Sequence, residues 1–297
     1  MRYVKQEITD YESDNIEPLY LDWVATETYV KNAYVKDGSY FFKSVIDNNL
    51  NLKPSDHVPT YWIKWGVSNK FSMIDLQSST KTVVENDNLI AVFQLANIDT
   101  LAIGYYKATT LKIENIDDSG TALYTQTFTQ STNSNVTDYY TYLYAPYTIK
   151  SNKGQFVDVP KIGTKLRVSF LRGTLNEVSC GFLIGGESIH MGETLEGVNF
   201  SFNSYSTKAP DEYGIISILK RSVQDLVDFE TSIEKAELTQ LKRYAKRDYE
   251  EIVAFIVDDS DDDIYENLIT LGVIQSVSTV ATNHTKQIMT FSILEAI

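Results

Sequence analysis

A catalytic site gathers side chains that hold, move or accept protons, or that ligate a metal, at workable spacing. The chain has three histidines, His57, His190 and His284, which fall in three separate stretches with no second histidine at a metal-ligand spacing. No nucleophile elbow, phosphate-binding loop or dinucleotide fingerprint is present. The glycines of GFLIGGES lack the lysine and the following helix that phosphate binding requires. Cys180 is the single cysteine, so an internal disulfide and a thiolate cluster are both excluded, and its place in CGFLI reads as a buried small hydrophobe. The acidic run Asp258–Asp263 places Asp259, Asp261 and Asp263 at alternate positions, as oxygen ligands of calcium would be. The pattern then breaks, with Ile264 where the turn glycine belongs and Thr270 where a bidentate glutamate is needed, so a solvated turn is expected. Forty acidic residues permit many carboxylate pairs, and nothing selects one for glycoside hydrolysis. These observations point to a protein that is not an enzyme and needs no cofactor or metal.

The residues best suited to recognition are aromatic. Residues 29–75, YVKNAYVKDGSYFFKSVIDNNLNLKPSDHVPTYWIKWGVSNKFSMID, set seven aromatic residues ahead of Trp65 among turn formers. A ring facing outward offers a flat, rigid surface on which a sugar stacks, and a ring facing inward builds a core. On an extended SYFFKSVI, Tyr40 and Phe42 share one face while Phe41 and Val45 share the other, and a module this small is expected to bury only one of them. Tyr61, Trp62 and Trp65 lie beyond the loop NNLNLKPSDHVPT and are expected to pack back on that strand. Tyr40, Tyr61, Trp62 and Trp65 are therefore the candidate contacts for a glycan or a partner protein, or the makings of a mini-core.

These residues need a scaffold, and composition indicates its kind. At 297 residues and 43% hydrophobic the chain has material for two or three modest domains. Twenty Tyr and thirteen Phe against fourteen Gly and six Pro, with many Thr, Ser, Val and Ile, favour strands. A net charge of −14 opposes binding to nucleic acid or anionic lipid. The start MRYVKQEITDY lacks the apolar run of a signal peptide, and no stretch is long and apolar enough to insert in a membrane, so synthesis as a soluble protein is expected.

The fold expected is mainly β. Residues 1–26 read as an N-terminal arm and 27–69 as a small aromatic, carbohydrate-module-like segment. From 70 to 202 the runs TKTVVEN, LIAVFQLAN, TLAIGYY, ATTLKIENI, ALYTQTF, TYLYAPYTI, KLRVSFL and EVSCGFLIGG recur near the spacing of an antiparallel β-sandwich of jelly-roll type. In TTLKIENI, Leu111 and Ile113 face in while Lys112 and Glu114 face out, and DDSG at 117–120 reads as a hairpin turn. Residues 203–214 read as a linker. From 215 to 297 an α+β domain is expected, in which IISILKRSVQDLVDFE reads as a long strand or hairpin arm and Thr231 and Glu234 then form a capping box ahead of a helix over 232–247 that covers an antiparallel sheet.

The run FKSVIDNN at 42–49, followed by Trp62 and by GVSNKFSMID at 66–75, resembles the opening of a group of tailed-bacteriophage virion proteins. In that group an aromatic-Glu-Ser-Leu-like strand precedes a Trp and a Gly-x-x-Asn-Arg/Lys-aromatic-x-Met-aromatic-Asp segment. Gly66, Asn69, Lys70, Phe71, Met73 and Asp75 match, and Ile74 replaces the aromatic. TLAIGYYKATTLKIE is similar to the group's first sandwich strands, VSCGFLIGGESIHMG to its Cys-Gly-x-Leu-x-x-Gly strand, and the tail from Tyr213 to its closing domain, which looks like tube-forming and baseplate-hub domains. The resemblance implies a structural virion protein of the tail, tail tip, baseplate or neck, assembled in the host cytoplasm, with other virion proteins and a homo-oligomeric ring as partners. It also implies an N-terminal piece similar to chitin-binding-type modules, from which the loop at 47–60 departs in length. A receptor-binding adhesin for host surface glycans is the alternative.

Overall fold

The computed structural model describes residues 1–13, 16, 20–129, 139–144, 152–195, 197–210, 216–257, 269–280 and 286–296. The chain is mainly β, and among the described residues the strand ladders are antiparallel. Strand Thr110–Ile116 shows why: Leu111 and Ile113 are buried, as a half-covered pleat requires. Its other face is less open than expected, because Glu114 is buried between Lys112, at 2.7 Å, and Arg167, at 3.7 Å. Asp117 closes the turn that follows by accepting from the amides of Ser119 and Thr121, and Gly120 supplies the left-handed φ of 84°.

Strands Ala122–Thr129, Thr110–Ile116, Lys165–Leu171 and Leu89–Gln94 form a four-stranded sheet in that order. Asn152–Asp158, Thr100–Tyr106 and Phe182–Gly186 form a three-stranded sheet, and Glu177–Cys180 pairs with Thr82–Glu85. Side chains from all three sheets, among them Phe93, Phe170, Leu101, Leu183, Val84 and Cys180, meet in one buried cluster. Strand Thr100–Tyr106 is covered on both faces, since Leu101 and Ile103 enter that cluster while Ala102 packs with Val4, Ile184 and Ala254 in a second. Residues 141–144 of the expected strand TYLYAPYTI instead fall in a short helix, Tyr139–Tyr144. Tyr139, Tyr140 and Leu143 are exposed there. Residues 145–149 of that run lie outside the described residues.

The largest sheet has eight strands, in the order Ser188–His190, Arg2–Lys5, Val253–Ile256, Ile269–Val280, Lys286–Glu295, Val223–Glu234 and Glu193–Thr194, with Asn199–Ser204 also pairing to Val223–Glu234. Membership of this sheet does not follow a boundary at residue 202, because three of its strands come from 188–204. The N-terminus is not an arm at the periphery. Arg2–Lys5 is an interior strand, and the sequence could not announce it because its partners, Ser188–His190 and Val253–Ile256, lie far away in the chain.

Helix Leu238–Arg247 packs Leu241 and Ala245 on Phe229, Phe291 and Ile293 of this sheet. It begins later than the sequence predicts. Val227, Phe229, Thr231 and Ile233 are all buried at a period of two, so strand pairing continues through Glu234 and the capping box does not form. Thr231 donates to the Met289 carbonyl across the sheet instead. The expected linker is likewise structured as far as described. Asn199–Ser204 pairs with Val223–Asp228, and Thr207–Pro210 pairs with Ile216–Leu219, so the two runs form one long hairpin arm.

Gly186 joins the N-terminal strand to the sheets beside it. A Cβ there would lie 2.0 Å from the Lys5 carbonyl oxygen, a backbone atom that cannot rotate away. Gly186→Ala is expected to lower stability by about 1–3 kcal/mol. The measurement is the urea midpoint at constant slope.

Candidate functional site

The groups that could do chemistry are dispersed. The His57 ring nitrogen Nδ1 lies 2.9 Å from the Lys53 carbonyl, and its ring meets the edge of Tyr61. His190 sits on the strand beside Arg2, and burial first, then the charges of the N-terminus and Arg2, lower its pKa. Burial pushes the Cys180 thiol up, which leaves it protonated and inert, and its Sγ donates to the Phe182 carbonyl. Asp258–Asp263 and His284 lie outside the described residues. Among the described residues no three His, Cys, Asp or Glu side chains are arranged to hold a metal ion. Among the described residues no helix is long and apolar enough to cross a membrane.

The aromatic module is built on a three-stranded sheet of Tyr34–Asp37, Tyr40–Ser44 and Trp62–Val67. Gly38, at a φ of 64°, makes the tight turn between the first two. On one face Tyr29, Val35, Phe42 and Trp62 form a mini-core, with Trp23, Ala33 and Tyr61 packed against it. Trp62 is fully buried, and its Nε1 donates to the Leu52 carbonyl at 2.7 Å. It is therefore a core residue with no free ring face, which corrects its place among the candidate contacts. Tyr61 is half-buried at the edge of the same core.

The opposite face carries the exposed Trp65 ring and the rings packed beside it. Tyr20 stacks on Tyr34 with centroids 5.0 Å apart and meets Phe41 edge-on, and Tyr34 in turn meets Trp65 edge-on at 5.5 Å. Lys43 holds its ammonium over both Tyr34 and Trp65, 5.6 and 5.1 Å from the ring centroids. Trp65 is 59% exposed, with Ile63 also open beside it. Tyr40 belongs to the Phe42 side, at its exposed end, with the Lys64 Nζ 3.3 Å from its ring centroid. Contrary to expectation both Phe41 and Phe42 are buried, because the segment around Tyr20 covers the second face. Leu21 and Trp23 bond the Lys36 backbone around an isolated parallel bridge at Asp22, so residues assigned to an arm lie along the edge of the module.

The four candidates thus do not converge. Trp62 and Trp65 are three apart on a strand, and an odd separation sends them to opposite faces. The exposed cluster unites Trp65 with Tyr20, Tyr34 and Lys43, none of which stood out in the sequence. The hairpin register Tyr34↔Lys43 was the available signal.

The block 66–75 serves as a joint between this module and the larger sheets. The Asn69 side chain bonds both backbone groups of Val83, donating at 2.8 Å and accepting at 2.9 Å. Met73 is fully buried, and its amide donates to the Thr82 hydroxyl. Asp75 accepts from Thr80 Oγ1 and from the Gln77 amide, and burial nevertheless raises its pKa. Lys70 pairs with Asp10 at 2.9 Å, while its carbonyl accepts from the Tyr11 hydroxyl. The residues of the Gly-x-x-Asn-Lys-aromatic match therefore take part in the contacts of this joint. No protein-family model, curated protein or solved structure matches this chain.

Proposed function

We propose that the chain is a non-enzymatic structural subunit of a bacteriophage virion, in the tail, tail tip, baseplate or neck, where copies join in a ring among other virion proteins. The family identity rests on the resemblance carried by residues 42–75. In that reading the sheets around Phe93, Phe170 and Leu101 are an antiparallel sandwich, and the helix-covered sheet is an α+β domain of tail type.

The observation that supports assembly is the hairpin arm. Phe200, Phe202, Tyr205, Ile218, Leu219 and Val223 are all exposed on it, an apolar concentration that a lone molecule leaves in water. Light scattering across a concentration series, coupled to size exclusion, tests the reading, as does addition of purified protein to tails lacking it. Strictly monomeric protein that also fails to join tails would overturn it.

The second reading, an adhesin for host surface glycans, is favoured by one feature, the exposed Trp65 ring held edge-on by Tyr34 beneath the Lys43 ammonium. On a glycan array, retention that disappears with Trp65→Ala and survives Tyr61→Ala would support it. Absence of retention by the wild-type protein would exclude it.

A further inference from the structure

We infer that the hairpin arm of one copy seats on a second copy of this chain, in the cavity between helix Leu238–Arg247 and strand Ile269–Val280. The inference rests on the ring reading and names the two surfaces that would meet.

The arm's apolar face continues the core face of the large sheet. Val227 is buried, and its cross-strand partner is Phe200. One pair outward, Phe202 faces Asp225, and beyond that Ser204 faces Val223. Phe202 is 71% exposed and Val223 49% exposed, and Asp225 between them is exposed as well. Asp225 makes no ion pair among the described residues.

The cavity has the opposite character. Its volume is about 270 Å³, and Ala245, Val277 and Tyr249 give it an apolar floor under a rim of Lys242, Lys246 and Thr279. Val277 packs on the main core, and Tyr249 is fixed by a hydrogen bond to the Gln275 carbonyl. The helix beside it carries Lys242, Arg243, Lys246 and Arg247 and no acidic residue, in a chain of net charge −14. Arg247 is committed to Asp248, whereas Lys242 and Lys246 form no ion pair among the described residues. Two acidic copies repel at long range, so their contact needs a local pairing of opposite charges. The arm's Asp225 and the helix lysines supply one, with Phe202 and Val223 matched to the apolar floor.

The arm cannot fill its own cavity. Val277 stands in register with Phe291 and Phe229, and Val223 lies six residues beyond Phe229 on the same rigid strand, roughly 20 Å away. Two different patches that meet between copies make a head-to-tail contact, which closes into a ring or propagates as a filament.

Charge reversal with rescue tests the pairing by sedimentation velocity. Asp225→Lys alone and Lys246→Glu alone are each expected to weaken self-association about tenfold or more, and the two variants mixed, or combined in one chain, should restore it. A Phe202→Cys, Thr279→Cys chain should give a disulfide-linked ladder on oxidation, and the buried Cys180 will not compete. Wild-type protein that associates normally while both reversals leave it unchanged, with no ladder, would overturn this contact and spare the ring. Wild-type protein that never associates would overturn both.

Discussion

Trp62→Ala is expected to unfold the aromatic module while leaving the other sheets folded. The substitution empties the centre of a cluster that holds only three other buried side chains, Tyr29, Val35 and Phe42. A tryptophan-to-alanine change in a core costs about 3–5 kcal/mol, and here it also leaves the Leu52 carbonyl without its donor. A core this small has no reserve with which to collapse around the void. The cluster shares none of its members with the other cores, so the loss should stay local. Hydrogen exchange reads the outcome directly, with amides of Tyr34–Asp37 and Tyr40–Ser44 losing protection and those of Thr110–Ile116 keeping it. Trp65→Ala is the control, because its ring is mostly in water and its removal should change stability by no more than about 0.5 kcal/mol. Equal protection in Trp62→Ala and wild type would contradict the structural role given to this ring.

What the sequence disclosed and what it withheld divide along the range of the interaction. Alternation within Thr110–Ile116 or Lys165–Leu171 is local, and the strands stand where it indicates. Whether a strand continues or a helix begins after Phe229 is a contest between local capping chemistry and a partner strand, Lys286–Glu295, that local reading does not include. The destination of Arg2–Lys5 is set by Val253–Ile256, at the other end of the chain. Candidate contacts suffered in the same way. Trp62 and Trp65 attract notice by type, but only the strand's two faces and the covering residue Tyr20 decide which ring is exposed. The return run of the hairpin arm, IISILKRSVQDLVDFE, reads locally as a long strand or hairpin arm, whereas the outgoing run over 203–214 resembles a linker through its small polar residues, and the exposed aromatics make sense only beside a second surface.

Removal of Asp248 is expected to release the N-terminal strand from the helix. This carboxylate is fully buried, accepts the Tyr3 hydroxyl at 2.5 Å and holds the Arg247 guanidinium in a fork with both bonds at 2.7 Å. Its backbone also ends the helix, since the Asp248 amide donates to the Tyr244 carbonyl. Asp248→Ala orphans a buried phenol and breaks a partly buried ion pair, at a cost of about 3–5 kcal/mol, towards the lower end because Arg247 is half-exposed and water can take it up. Tyr3→Phe should cost less, for it removes the donor and leaves the fork in place. The pH dependence has a definite sign. Burial alone would raise the Asp248 pKa, but the Arg247 fork and the Tyr3 hydroxyl outweigh it and hold the group below its ordinary value. A carboxylate with a depressed folded pKa binds its proton more readily when unfolded, so the stability it adds is complete above the unfolded value near ~3.9 and is lost as pH falls through the folded one. Asp75, raised by burial, works in the opposite direction and gains stability on protonation, so it cannot produce this acid loss. Urea midpoints from neutral pH down to the acid limit should therefore fall less steeply in Asp248→Asn than in wild type below about pH 4. An acid limb of unchanged slope would mean that other carboxylates, and not this clamp, govern acid unfolding.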